Sequence, residues 1–170
     1  MSEVLARWNR LVSREAAEEI LPCCGSKAWA EKMAAQRPIA DEAALLAACD
    51  LACRSLVESD WLEAFRSHPR IGERSVSASN SARSEAWSRE EQRGVETKNG
   101  DVRMMMVQGN RVYEERFRRT FIICATGKSA AEILDSLRRR LRNDDSTELH
   151  EAADQQRRIT HLRLKKWLSA

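Results

Sequence analysis

The chain has 170 residues, 42% of them hydrophobic and 32% charged, a size and balance that suit one soluble globular domain with a real core. Six glycines and three prolines argue against an all-β or low-complexity architecture. The net charge of +3, from 29 basic and 26 acidic residues, is too small to suggest a nucleic-acid binder.

Met1-Ser2-Glu3-Val4 lacks a basic region followed by an apolar run, so no secretory signal is expected. No apolar stretch approaches a membrane span, and Leu168-Ser169-Ala170 is not a Ser-Lys-Leu type of peroxisomal address. Five cysteines, an odd number in a long chain, suggest reduced thiols. The expected location is cytoplasmic, with no membrane or nucleic-acid partner.

In chain order the pattern is helix after helix. Ser13, Glu15 and Glu18-Glu19 open a short amphipathic helix that Pro22 stops, and Ala28 to Gln36 forms a second, ended by Arg37-Pro38. Asp41 caps a third, with Leu45, Cys49, Ala52, Cys53 and Leu56 on one face. Asp60 to Arg66 reads as a short helix leading into His68-Pro69-Arg70-Ile71-Gly72-Glu73. There Pro69 restricts the histidine's backbone and Gly72 permits a tight turn, so a ring that titrates near neutrality sits in a rigid holder. An ordinary helix-ending turn has the same appearance.

Ser75 to Ser84 reads as a surface loop, the pattern is helical again to about Lys98, and Asn99-Gly100 is a turn signal. Asn110 to Ala125 reads as one long helix ended by Gly127. Ser129-Ala130-Ala131-Glu132 is a capping box opening a helix to about Arg142, and a last helix follows Asn143-Asp144-Asp145-Ser146 through Trp167. With no repeat and no visible boundary, the expectation is one all-α domain over residues 1–170.

Several groups carry chemistry, each with a plainer reading. Cys49 and Cys53 are four apart and could face one metal, but their apolar neighbours favour buried thiols, and Cys23-Cys24 has no second pair at ligand spacing. Cys124 sits in an apolar run and reads as core. Arg138-Arg139-Arg140 and Arg142, with Arg157, Arg158, Lys165 and Lys166, could line a phosphate stripe or be solvated helix faces beside Glu132, Asp135, Asp144 and Asp145. Ser88, Glu91 and Gln92 share one helix face with Trp87 beside Glu91, although a lone Glu91 is more often a solvated surface residue. Arg163 falls in the apolar arc Leu149, Ala152, Ile159 and Trp167, where a guanidinium needs an internal ion pair, Glu91 being one candidate, or an anionic ligand.

Taken together, these residues resemble the 2-oxo-4-hydroxy-4-carboxy-5-ureidoimidazoline (OHCU) decarboxylase family, over about Ser13 to Leu164. The blocks are Ala28-Trp29-Ala30 with Arg37-Pro38, then His68-Pro69-Arg70-Ile71-Gly72-Glu73, then Trp87-Ser88 with Glu91-Gln92. Asn110, Tyr113 and Phe117 follow with Phe121-Ile122-Ile123-Cys124-Ala125, then Ile133-Leu134, Arg140-Leu141 and Asn143, and last Glu148-Leu149, Ile159 and Leu162-Arg163-Leu164. One departure is visible: Arg118 stands where the family pattern has glycine.

The resemblance implies an all-α fold and cofactor-independent, stereoselective decarboxylation to (S)-allantoin in urate breakdown. It also implies no metal, a ureidoimidazoline carboxylate as small-molecule substrate, and a homodimer. It implies His68 and Glu91 as catalytic residues, with Pro69, Ser88, Gln92, Arg163 and the backbone of Phe121, Ile122 and Ile123 binding substrate. Two other readings remain: a helical partner- or nucleic-acid-binding module using the arginines, and an inactive relative that keeps the fold.

Overall fold

Short polar side chains open most of the helices by accepting hydrogen bonds from first-turn amides. Ser2 caps α1 (Glu3–Arg10), Ser26 caps α3 (Lys27–Ala35) and Asp41 caps α4 (Glu42–Arg54). Ser81 caps α6 (Ala82–Glu91) and Asn99 caps α7 (Gly100–Phe117). Ser129 and Glu132 cap α8 (Ala130–Arg140) reciprocally. The remaining helices are α2 (Ser13–Ile20), α5 (Glu58–Arg66) and α9 (Asp145–Leu168), and single 3-10 turns cover Leu21–Cys23 and Arg93–Val95. The computed structural model describes residues 2–72, 81–95 and 99–169. Among the described residues there is no strand, and no helix is long and apolar enough to cross a membrane.

The chain divides into two compact units, one holding residues up to Ala64 and from Arg157 onward, the other Phe65–Gln156. In the first unit α2 packs on α3 and α3 on α4. Trp8, Trp29 and Trp167 are fully buried, and the rings of Trp8 and Trp167 meet edge to face at 5.6 Å. The indole of Trp8 donates to the Ala16 carbonyl, and Arg37 ties down the end of α1 through the carbonyls of Trp8 and Leu11. Cys23, Cys24, Cys49 and Cys53 are buried. Burial pushes the Cys24 thiol up to about 12, and the hydrogen bond with Cys49, together with burial, raises Cys53. These thiols are packing groups, as their apolar neighbours indicated.

In the second unit α7 packs against α8, so closely that a Cβ at Gly109 would stand 2.5 Å from Leu137 Cδ2. Ile71, Val95, Met106, Tyr113, Phe117, Phe121, Ile123, Ile133, Leu134 and Leu137 belong to one core cluster. Beside it Arg140 and Glu148, both buried, pair as an ion bridge, and the Tyr113 hydroxyl donates to Glu148 at 2.6 Å. The Arg140 guanidinium lies 4.6 Å over the Phe121 ring. Arg140 is therefore not on the surface with the rest of the arginine run, whereas Arg139 is exposed and pairs with Glu151.

Several elements differ from the sequence expectation. The long helix begins at Gly100 and ends at Phe117, so residues 121–125 are not helical. An apolar run that short looks alike in a helix and in a buried extended segment, and periodicity does not separate them. Arg118, at φ 56°, ends the helix in the left-handed conformation where glycine is favoured. Asn99-Gly100 is a helix start rather than a turn, because the Asn99 side chain accepts from Asp101 and Val102. The expected loop at 75–84 already gives way to the α6 cap at Ser81, its residues 75–80 lying outside the described residues. The helix expected to run to Lys98 stops at Glu91. Residues 3–10 form a further helix, α1, for which the sequence analysis has no counterpart.

Candidate active site

The chain leaves α5 through a turn closed by the His68 N–H on the Phe65 carbonyl at 3.1 Å. His68 and Pro69 are half-buried and Ile71 is buried. Gly72 has φ 75°, and a Cβ there would stand 3.2 Å from Met106 Cγ, so both its conformation and its closeness to α7 favour glycine. Arg70 forks onto Glu114 with two 2.7 Å bonds. Glu73, the last residue of the motif, lies outside the described residues.

The Ile71–Gly72 peptide group is held at both ends. Its carbonyl accepts from Asn110 Nδ2 at 3.0 Å, and its N–H donates to Gln92 Oε1 at 3.1 Å. Gln92 is the C-cap of α6, so this bond fixes the end of that helix to the turn carrying His68. Ser84, Ser88 and Glu91 are the buried residues of α6, which puts a carboxylate and two hydroxyls on its inward face. The plain reading of Glu91 as a solvated surface residue does not hold. Gln92 has its amide oxygen committed to the turn, and its amide NH2 is the part of the group that can serve a ligand.

Phe121, Ile122 and Ile123 bury their side chains, so what this segment can offer a ligand is backbone. Its shape is fixed from outside: the Ile122 carbonyl accepts from Arg140 at 2.6 Å, and the Cys124 N–H donates to Gln155 Oε1 at 3.0 Å. The rings of Tyr113 and Phe121 meet at 5.1 Å. Helix α7 therefore touches both the turn, through Asn110, and this segment, through Tyr113.

Arg163 belongs to the first unit, on the last part of α9. It is fully buried, and its guanidinium donates to the Pro22 carbonyl at 3.3 Å, with Cys24 near enough for its charge to act on that thiol. The other eight predicted site residues all lie in the second unit, and five of them, His68, Pro69, Ser88, Glu91 and Gln92, are joined through the Gly72–Gln92 bond. Asn110 holds the backbone of the turn and Arg140 that of the segment at Ile122, whereas the sequence reading has Asn110 only in a family block and Arg140 also in a basic run. The available signal was that each stands in an apolar helical arc, Asn110 between Met106 and Tyr113, Arg140 after Ile133 and Leu137. Among the described residues no group of three or more His, Cys, Asp or Glu is gathered to hold a metal ion.

The sequence model of the family described as OHCU decarboxylase matches residues 9–165. An Arabidopsis thaliana protein named "Uric acid degradation bifunctional protein TTL" is 34% identical over 147 residues, which are 86% of this chain and 45% of that protein. The Mus musculus 2-oxo-4-hydroxy-4-carboxy-5-ureidoimidazoline decarboxylase is 30% identical over 106 residues, 62% of this chain and 59% of that one. The aligned stretch thus spans about half the length of these curated relatives. A crystal structure of OHCU decarboxylase in the presence of (S)-allantoin superposes with a TM-score of 0.71 at 33% identity, covering 90% of this chain and 99% of the other. A crystal structure of (S)-allantoin synthase gives 0.67 at 17% identity over 96% of this chain and 53% of the other, a likeness of fold.

Proposed function

The chain belongs to the OHCU decarboxylase family, and on that premise we propose that it converts 2-oxo-4-hydroxy-4-carboxy-5-ureidoimidazoline to (S)-allantoin. The observation that carries this reading is the bond between Gly72 and Gln92, which joins the rigid turn bearing His68 to the helix whose inward face bears Ser88 and Glu91.

The substrate is a five-membered ring with a carboxylate, a hydroxyl and a ureido arm. Departure of CO2 leaves an electron pair that the ring must delocalise and that a proton must quench on one face. Fixed donors and a positioned acid–base group are sufficient for such a step. In this reading His68 acts on the hydroxyl and carboxylate region. Glu91 accepts hydrogen bonds from substrate, and Ser88 with the Gln92 amide orients the ring and ureido groups. Pro69 shapes the wall, the backbone of Phe121 to Ile123 serves a ring carbonyl or the developing anion, and Arg163 binds substrate oxygens. The whole chain acting as one functional domain, a homodimeric assembly and a cytoplasmic location complete the proposal.

The test couples urate oxidation and hydroxyisourate hydrolysis to the protein and follows the circular dichroism of (S)-allantoin against spontaneous decay, which yields racemate. Enantiomeric product should appear faster than background. His68→Ala should lower that rate by at least about 10²-fold while the protein stays folded, the scale of a general acid–base group. Near-normal turnover by the variant would remove His68 from the chemistry, and no wild-type acceleration would remove the activity.

A further inference from the structure

The turn after His68 runs along α7 in the opposite sense. Gly72 approaches Met106, the Ile71 carbonyl meets Asn110, and Arg70 meets Glu114. Those helix residues are four apart, so one side of α7 presents an apolar contact, an amide donor and a carboxylate in succession. The three contacts are not equivalent. The side chains of Arg70 and Glu114 are 48% and 26% exposed, and an ion pair so open to water contributes little. The Met106 contact is non-directional. The Asn110 bond is directional and buried, with Asn110 only 1% exposed, and it joins positions 39 residues apart.

Asparagine is a poor residue for a helix interior, and a buried amide is costly unless it is bonded. Its placement here answers a geometric need. Two anchors bracket His68: its own N–H on the Phe65 carbonyl, and the Ile71–Gly72 peptide plane three residues later. Between them Pro69 has a fixed φ and restricts the histidine before it. The fixed φ of Pro69 leaves few free torsions between the anchors, so a shift of that peptide plane is passed to the His68 backbone that carries the imidazole. Gln92 holds the plane from α6 and Asn110 holds it from α7.

We propose that Asn110 is a positioning residue for His68, acting through the Ile71–Gly72 peptide group. The inference rests on the reading of His68 as the group that works on substrate. Asn110→Leu keeps the branching at Cγ and deletes the donor. A misplacement of about 1 Å can cost about 10²-fold in rate, so kcat should fall by at least about 10-fold while KM changes little. In a His68→Ala background the same substitution should change the residual rate by less than about 2-fold, because the two losses are one loss. The chain has only three histidines, so the His68 ring is assignable by NMR, and its resonances and titration midpoint should move in Asn110→Leu.

Asn110→Ala, which also lacks the donor and cannot overfill the site, takes the place of the leucine variant if that one does not fold. Wild-type kcat in the folded variant, or an equal loss with and without His68, would overturn the proposal. If the wild type itself showed no turnover, the functional reading would fail instead. The NMR comparison would then decide the role of Asn110 alone, with an unmoved His68 ring overturning it.

Discussion

Arg118 is the one non-glycine residue with a positive φ among the described residues, at φ 56° and ψ 27°, where its N–H bonds the Glu114 carbonyl and closes α7. An L side chain in that region costs about 1–2 kcal/mol relative to a right-handed one. Glycine would remove the strain and give back about 0.5–1 kcal/mol through the extra freedom of its unfolded chain. A cation at a helix C-terminus is worth a further few tenths that Arg118→Gly would lose. The net expectation is a gain of a few tenths to about 1 kcal/mol in unfolding free energy, read by urea titration. A loss would mean that the arginine side chain contributes more than its backbone costs. The sequence marks this position only as a departure from a family pattern. Its meaning depends on where α7 ends, and the apolar run 121–125 obscured that end.

Among the elements, α7, α8 and α9 meet at a buried ionic group whose parts were visible in the sequence and whose assembly was not. The arginine run 138–140 reads as one solvated face. Yet Arg140 continues the apolar arc of Ile133 and Leu137, the same oddity that Arg163 shows on α9. In the structure it pairs with Glu148, which also accepts from Tyr113 and Asn143. Burial and the Glu148 carboxylate raise the Tyr113 hydroxyl above its ordinary range, so it stays a donor. Arg140 then reaches the Ile122 carbonyl, giving the non-helical segment a hydrogen-bond partner. Breaking one side of a buried pair costs about 3–5 kcal/mol, so Arg140→Met should unfold at markedly lower urea. Tyr113→Phe, which removes one bond to a charged group, should cost about 1.5–3 kcal/mol. An Arg140→Met protein within about 1 kcal/mol of wild type would mean that Glu148 is not left as an uncompensated buried charge. Helix existence was legible because caps and apolar spacing are local. Pairs such as Arg140–Glu148 and Asn110–Ile71 depend on how elements meet, which periodicity does not encode.

At the scale of the whole molecule, 29 basic and 26 acidic residues interleave, and several acids are held in their charged form by the fold. At Asp50 burial works against ionisation, but Arg157 and His161 outweigh it and lower the carboxyl below its ordinary value. Hydrogen bonds from Arg139 and Asn143 lower Glu151, and the backbone and side chains of Ser129 and Thr147 lower Glu132 and Asp144. A carboxyl depressed on folding binds protons more readily when unfolded. Its stabilisation is therefore complete above the unfolded value, about 3.9 for Asp and 4.3 for Glu, and is lost as pH falls through the lower folded value. The melting temperature should be nearly level around neutrality and fall below about pH 4, as protonation also leaves the basic residues to repel one another. Asp50→Asn isolates one contribution in the first unit. Its melting temperature should lie below wild type at pH 7, and the gap should close as the pH drops, because wild-type Asp50 then becomes neutral too. A gap of constant size from pH 7 to pH 2 would mean that Asp50 acts through the shape of its hydrogen bonds to Arg157 and His161 rather than through its charge.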